Sequence, residues 1–172
     1  MIKPSNILQS GDRRLRLESK MLTLDQLSNK STKVLIKLLH KSLSVHGDGV
    51  AIAAPQIGAN LKIFVLSPKI IGATIGDKNL VFINPRITRK SRKKIIYDEG
   101  CLSVRWMYGK ISRYEKVTVE ALDENGAVFS RNATGLLAEI FQHEIDHLNG
   151  ILFTDSATDL RKVVFTDSTK NE

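Results

Sequence analysis

Cysteine is almost missing from this chain: among 172 residues only Cys101 occurs. No internal disulfide can form, which excludes a disulfide-stapled secreted scaffold and makes a reducing, cytoplasmic setting the expectation. Long apolar runs are missing too. The longest uncharged stretch, residues 49–61, falls short of the roughly 20 apolar residues that a membrane-spanning helix needs, so no membrane partner is expected. The start, Met1-Ile2-Lys3-Pro4-Ser5-Asn6, lacks the apolar core of a signal peptide, and Asp12 and Glu18 come too early for a transit sequence. Acids are in the minority, 18 against 26 lysines and arginines, for a net charge of +8. That balance points to an anionic neighbour such as RNA. The charge concentrates in Arg86, Arg89, Lys90, Arg92, Lys93 and Lys94. No aromatic interleaves this run, so base stacking and sequence-specific nucleic-acid recognition are not indicated, and a solvated strand edge or loop explains it equally.

What is present is ordinary globular usage, with 42% hydrophobic and 26% charged residues. The length suits one domain of roughly 100–200 residues. There is no repeat, low-complexity segment or linker, so residues 1–172 read as one domain with a polar, frayed tail from about residue 156. Leu24, Leu27, Val34, Leu35, Leu38 and Leu39 recur at helical spacing, which predicts an N-terminal helix over 24–43 with Ser28 or Ser31 as cap and Gly47 and Gly49 closing it. Residues 63–66 and 80–83 are short apolar runs that read as strands. Val117, Val119 and Ala121 alternate with polar residues, and Asn125-Gly126 signals a hairpin into Ala127-Val128-Phe129. A second helix is expected over 134–148, ended by Asn149-Gly150. The order of elements predicts an α+β fold, with mainly antiparallel sheets around the second helix.

That helix carries His143-Glu144-Ile145-Asp146-His147, an HExxH pattern. A spacing of four stacks two imidazoles on one face, the geometry of two legs of a metal site, with Glu144 placed to take a proton from water. Leu136 and Ile140 share the histidine face. Histidines pointing into a core need partners, and a metal satisfies both at once; otherwise they are core or surface histidines beside a solvated glutamate. A third ligand is required. The extended protease pattern HExxHxxGxxH would put a histidine at 153, where the chain has Phe153, and only Asp155, Asp159, Asp167 and Glu172 follow as acids. Upstream, Cys101 sits in Glu99-Gly100-Cys101-Leu102-Ser103, either as inert packing or as a ligand. Gly49-Val50-Ala51-Ile52-Ala53-Ala54-Pro55-Gln56 sets small residues around one glutamine, either a tight turn or a segment running close to a ligand.

These three segments, in this order, resemble the peptide deformylase family, whose motifs are G-x-G-Φ-A-A-x-Q, E-G-C-x-S and H-E-x-x-H. The resemblance spans about residues 10–155 and includes Gly11-Asp12-Arg13-Arg14-Leu15-Arg16, Ile83-Asn84-Pro85 and Leu148-Asn149-Gly150. It implies Cys101, His143 and His147 as ligands of one Fe2+, for which Zn2+, Ni2+ or Co2+ can substitute. It implies N-formylmethionyl nascent peptides as substrates and formate as product. Glu144 would help water attack the formyl carbon, while Gln56 and the Leu102 backbone N–H hold the oxyanion. Gly49, Val50, Ala51, Gly100, Leu136 and Ile140 would bind substrate. Glu99, Arg113 and Asp146 would orient the ligands, with Arg113 pairing with Glu99 or Asp146.

Two departures stand out. Ala51 replaces the family's second motif glycine, and Val104-Arg105-Trp106 replaces its usual apolar-Pro-Gly continuation, so that Trp106 and Tyr108 either shape the cleft entrance or vary as a surface loop. Periodicity does not decide whether Glu139 faces the substrate pocket. The long C-terminal helix of many relatives has no counterpart, which leaves residues 86–94 as the surface for ribosome proximity. These departures also keep open a catalytically weak, deformylase-like module that binds ribosomes or RNA with strong salt dependence.

Overall fold

A computed structural model describes residues 6–71 and 80–163; the first five residues and residues 164–172, part of the expected tail, lie outside them. The elements in order are α1 (Leu24–Ser28), α2 (Lys30–Val45), β1 (Ala51–Ala53), β2 (Ile63–Leu66), β3 (Val81–Lys90), β4 (Lys94–Cys101), β5 (Val104–Tyr114), β6 (Lys116–Leu122), β7 (Val128–Thr134), α3 (Leu136–Leu148) and β8 (Thr158–Lys162). The strands form a five-stranded sheet, β1-β2-β3-β6-β7, and a three-stranded sheet, β4-β5-β8. Every pair is antiparallel, so the fold is α+β as the order of elements predicts.

The five-stranded sheet is covered on both faces, which is why β1 and β2 are apolar throughout instead of alternating. One face meets α2: Leu39 and Leu43 pack with Ile52, Ile63, Val65 and Ile83. The other meets α3 through Phe64, Phe82, Phe141 and Leu148. There the Phe64 and Phe82 rings stack at 4.6 Å, with Phe141 4.9 Å from Phe82. All three rings are fully buried, and deleting one such ring costs about 3–5 kcal/mol. β6 alternates as expected, with Val117, Val119 and Ala121 inward. α3 is therefore held between the sheets, packed on β1, β5 and β7. Its end is fixed by Gly150, whose φ is +74° and whose missing Cβ leaves room for the Arg16 carbonyl; a methyl there would lie 2.6 Å from that oxygen.

Three expectations need correction. The N-terminal helix is two helices broken at Asn29, whose ψ of 140° caps α2. Thr23, not a serine, heads α1, its N–H donating to Gln26 Oε1 at 2.9 Å. Thr32 then donates to the Gln26 carbonyl at 2.6 Å, closing the break. The chain's end is ordered further than the expected frayed tail from about residue 156 allows, since β8 (Thr158–Lys162) lies within it. Leu152 and Phe153 are buried, and β8 pairs with β5, for example Tyr108 with Arg161. Its side chains are all exposed, so hydropathy carries no trace of it; β5 recruits it through unpaired edge backbone groups. Arg105-Trp106 lies within β5 and not in a loop, although Trp106 has a strained φ of +66°.

The basic run spans the end of β3 and the start of β4. Arg86 pairs with Glu120 at 2.5 Å and Lys93 with Glu115 at 2.8 Å, while Lys90 and Lys94 lie over the Tyr114 ring. No helix among the described residues is long and apolar enough to cross a membrane.

Candidate metal centre

β4 ends at Cys101, and the two-residue turn Leu102-Ser103 leads directly into β5, pairing Cys101 with Val104. This hairpin end points the sulfur at α3. The donor atoms of Cys101, His143 and His147 lie within 4.8 Å of one another, and Cys101 Sγ is 3.1 Å from His147 Nε2. Burial alone would push the Cys101 thiol up, but the imidazoles of His147 and His143 bring it well below its ordinary value. The cysteine is thus disposed to be a thiolate, the form that binds metal. One thiolate and two imidazoles are the donor set of a divalent transition-metal site that keeps a position open.

The second ring nitrogen of His143 is fixed. His143 Nδ1 lies 2.9 Å from Glu99 Oε2, which leaves Nε2 as the ligating atom. Glu99 is buried and receives Arg113 in a fork: Nε to Oε1 at 2.7 Å and Nη2 to Oε2 at 3.0 Å. Arg113 Nη1 also donates to Asp146. The arginine therefore takes both partners between which the sequence could not choose, tying β5 to β4 and to α3 inside the HExxH motif. Burial pushes the Glu99 carboxyl up, yet hydrogen bonds from His143 and Arg113 hold it below its usual range. His147 Nδ1 is buried with no partner among the described residues.

Glu144 is buried beside the donors, and its Oε2 has no hydrogen-bond partner among the described residues. Burial pushes its carboxyl up to about 7, against the pull of His143 and His147. Gln56, in the 3-10 turn after β1, is oriented at both ends. The Ala53 N–H donates to its Oε1 at 2.8 Å, and its Nε2 donates to Ser103 Oγ at 3.1 Å, 3.7 Å from Cys101 Sγ. The amide NH2 group therefore faces the donors. Residues near the N-terminus brace this arrangement: the Leu8 N–H donates to the Gln56 carbonyl at 2.8 Å, the Ser10 N–H to the Ser103 carbonyl at 2.7 Å, and Gln9 Nε2 to the Leu102 carbonyl at 3.0 Å.

A cleft opens over the donors. Its walls include Gly49, Val50, Ala51, Gln56, Gly100, Leu102, Ile140, His143 and Glu144 from the sequence expectations. Leu136 does not join them; it is exposed at the start of α3. Gly100 is there because Tyr108 leans on it, and a Cβ would lie 2.6 Å from that ring. Trp106, Tyr108 and Glu139 all line the cleft, which answers both the entrance-or-loop alternative for the first two and the question that periodicity left open for Glu139. Ser103 was missed as a positioning residue; its place two after the cysteine was the only available signal.

A sequence model of the polypeptide deformylase family matches residues 4–163. The chain is 40% identical over 146 residues to "Peptide deformylase 2" of Clostridium acetobutylicum, covering 85% of this chain and 91% of that protein. It is 36% identical over 159 residues to "Peptide deformylase 1B, chloroplastic" of Solanum lycopersicum, covering 92% of this chain but 54% of the plant protein. The chain thus spans about half the length of the plant relatives it matches. Among solved structures, the Synechococcus elongatus peptide deformylase in complex with actinonin superposes with a TM-score of 0.80 at 34% identity, over 92% of this chain and 82% of that one. The Met-Ala-Ser-bound class I type b enzyme of Acinetobacter baumannii gives 0.79 at 30% identity, over 91% and 99%. On its sequence and on the arrangement of its strands and helices alike, this chain belongs to the polypeptide deformylase family.

Proposed function

We propose that this chain, as one catalytic domain, removes the formyl group from N-formylmethionyl nascent peptides and releases formate. The observation that carries this reading is the convergence of Cys101, His143 and His147 at the floor of a cleft that also presents Glu144 and Gln56. Fe2+ is the proposed metal, with Zn2+, Ni2+ or Co2+ able to replace it, held by the cysteine sulfur and the two histidine Nε2 atoms. Such an ion, when bound, supplies a Lewis acid that acidifies water and polarises the formyl carbonyl.

The chain's own groups do the rest. Glu144, buried beside the donors, takes the proton of the attacking water and delivers it to the departing amine. Gln56 Nε2 and the Leu102 N–H donate to the oxygen that becomes negative, and the Ala53 and Ser103 contacts hold the glutamine amide in position beforehand. Val50, Ala51, Gly100 and Ile140 hold the peptide. Glu99, Arg113 and Asp146 keep His143 in one tautomer and one orientation. The reading gains support from the A. baumannii relative, whose structure has Met-Ala-Ser bound. We further place the protein in the cytoplasm, near the ribosome, with the exposed lysines and arginines of residues 86–94 as the contact. Formate release from formyl-Met-Ala-Ser by anaerobically purified, iron-loaded protein tests the reading, with Cys101→Ala as control. No release by protein of verified iron content would overturn it.

A further inference from the structure

Arg105 and Trp106 stand where the family motif has its Pro-Gly pair. Both line the cleft, together with Asp48, Gly49 and Val50 of the loop that leads from α2 into β1. Arg105 joins this loop to β5. Its Nη1 donates to Asp48 Oδ2 at 2.7 Å, and its Nη2 lies 2.9 Å from His46 Nδ1. A guanidinium only donates, so the imidazole nitrogen accepts, and His46 is neutral with its proton on Nε2. The Arg105 backbone N–H also reaches Gln9 Oε1 at 3.4 Å, and Gln9 in turn holds the Leu102 carbonyl. The guanidinium carbon lies 5.5 Å from the centre of the Trp106 ring.

The junction is kept at a cost. Trp106 has a φ of +66°, and strain of this kind persists only where the surroundings over-determine the backbone. His46 Nε2 is buried with no partner among the described residues, which is unfavourable for an N–H. The loop is also pressed onto the turn after Cys101: a Cβ on Gly49 would lie 3.0 Å from the Leu102 side chain. The charged groups around the imidazole are Arg105 from β5, Asp48 from its own loop and Lys69, whose Nζ donates to the Gly47 carbonyl at 3.4 Å; the titratable Tyr108 lines the same groove. Burial, and then the Arg105 charge, hold His46 below its ordinary 6.5, with Asp48 opposing. A proton on Nδ1 would turn this acceptor into a donor aimed at a guanidinium and set two like charges side by side.

We propose that Arg105 is a positioning residue for deformylation: by clasping Asp48 and neutral His46 it holds the α2–β1 loop against β5, and the cleft keeps its shape only while His46 is uncharged. This rests on the deformylase reading above. Substrate affinity then falls as His46 gains a proton, through a movement of the cleft wall and not of the donors.

Trp106, the chain's one tryptophan, lies beside the guanidinium, so its emission reports the clasp without turnover. Between about pH 8 and about pH 5, the range in which a histidine titrates, the emission of the full chain shifts with a one-proton midpoint below 6.5. The shift is lost in Arg105→Met and in His46→Asn, whose Oδ1 replaces Nδ1 as an acceptor that does not titrate. In the iron-loaded chain, KM for formyl-Met-Ala-Ser rises at least about threefold as pH falls through that midpoint, the size of one partly exposed charged contact. His46→Asn removes this rise, and Arg105→Met shows the higher KM throughout. No emission shift in wild type, or the same shift in His46→Asn, overturns the proposal, as does a KM that rises equally in wild type and His46→Asn. If no formate is released at any pH, the deformylase reading fails, while the emission titration still decides the clasp.

Discussion

Replacing Arg113 with methionine removes one guanidinium from between two carboxylates while keeping an unbranched stem in place. Glu99 loses a two-bond fork at 2.7 and 3.0 Å, and its side chain is fully buried, so water cannot substitute. Breaking a buried pair of this kind by removing one partner costs about 3–5 kcal/mol, because the other charge stays behind. Asp146, partly exposed, adds little. The loss is pH-dependent with a definite sign. The Glu99 carboxyl is held below its ordinary 4.5 in the fold, so its contribution is present above that pH and fades as pH falls through the folded value. Urea unfolding at pH 7.5 should therefore show the full deficit for Arg113→Met, and the gap to wild type should narrow below pH 4.5. Since Glu99 also fixes the His143 ring, metal affinity should drop about 10–100-fold. A variant within about 1 kcal/mol of wild type at neutral pH, a typical surface effect, would refute the reasoning.

Glu144→Ala should lower formate release by at least about 100-fold while metal content, read by elemental analysis, stays near one per chain. Gly150→Ala should lower the thermal midpoint by several degrees, since its φ of +74° and the Arg16 carbonyl 2.6 Å from a new Cβ both oppose alanine. In metal-free protein, Glu139→Gln should be more stable than wild type above pH 7 and lose that advantage near pH 4. The carboxyl is raised from 4.5 to about 7 in the fold, so the native state binds the extra proton and wild-type stability falls as pH rises between those values. Thermal melts across that range check the sign.

Local pattern was enough for much of this molecule. A spacing of four put His143 and His147 on one helical face, alternation marked β6, and Asn125-Gly126 marked the hairpin before β7, because such features depend on residues a few positions apart. Cys101 was not legible in that way: its own neighbours left it as packing or ligand, and only the resemblance of the three motifs to a family set it beside the histidines. Packing decided the rest. β8 is invisible in hydropathy because it joins through backbone pairing and exposed ion pairs, Asp159 with Lys110 and Arg161 with Asp98, and not through an apolar face; the break at Asn29, by contrast, is local, made by the Thr23–Gln26–Thr32 hydrogen bonds. Residues 8–10 brace Gln56 and the Cys101 turn across more than 40 positions of chain, which no local signal encodes. Whether Arg113 reaches one acid or two, and whether Glu139 faces solvent or the cleft, depend on how β4, β5 and α3 meet. Periodicity says which face of an element a side chain occupies; only the neighbour set against that face decides what the side chain touches.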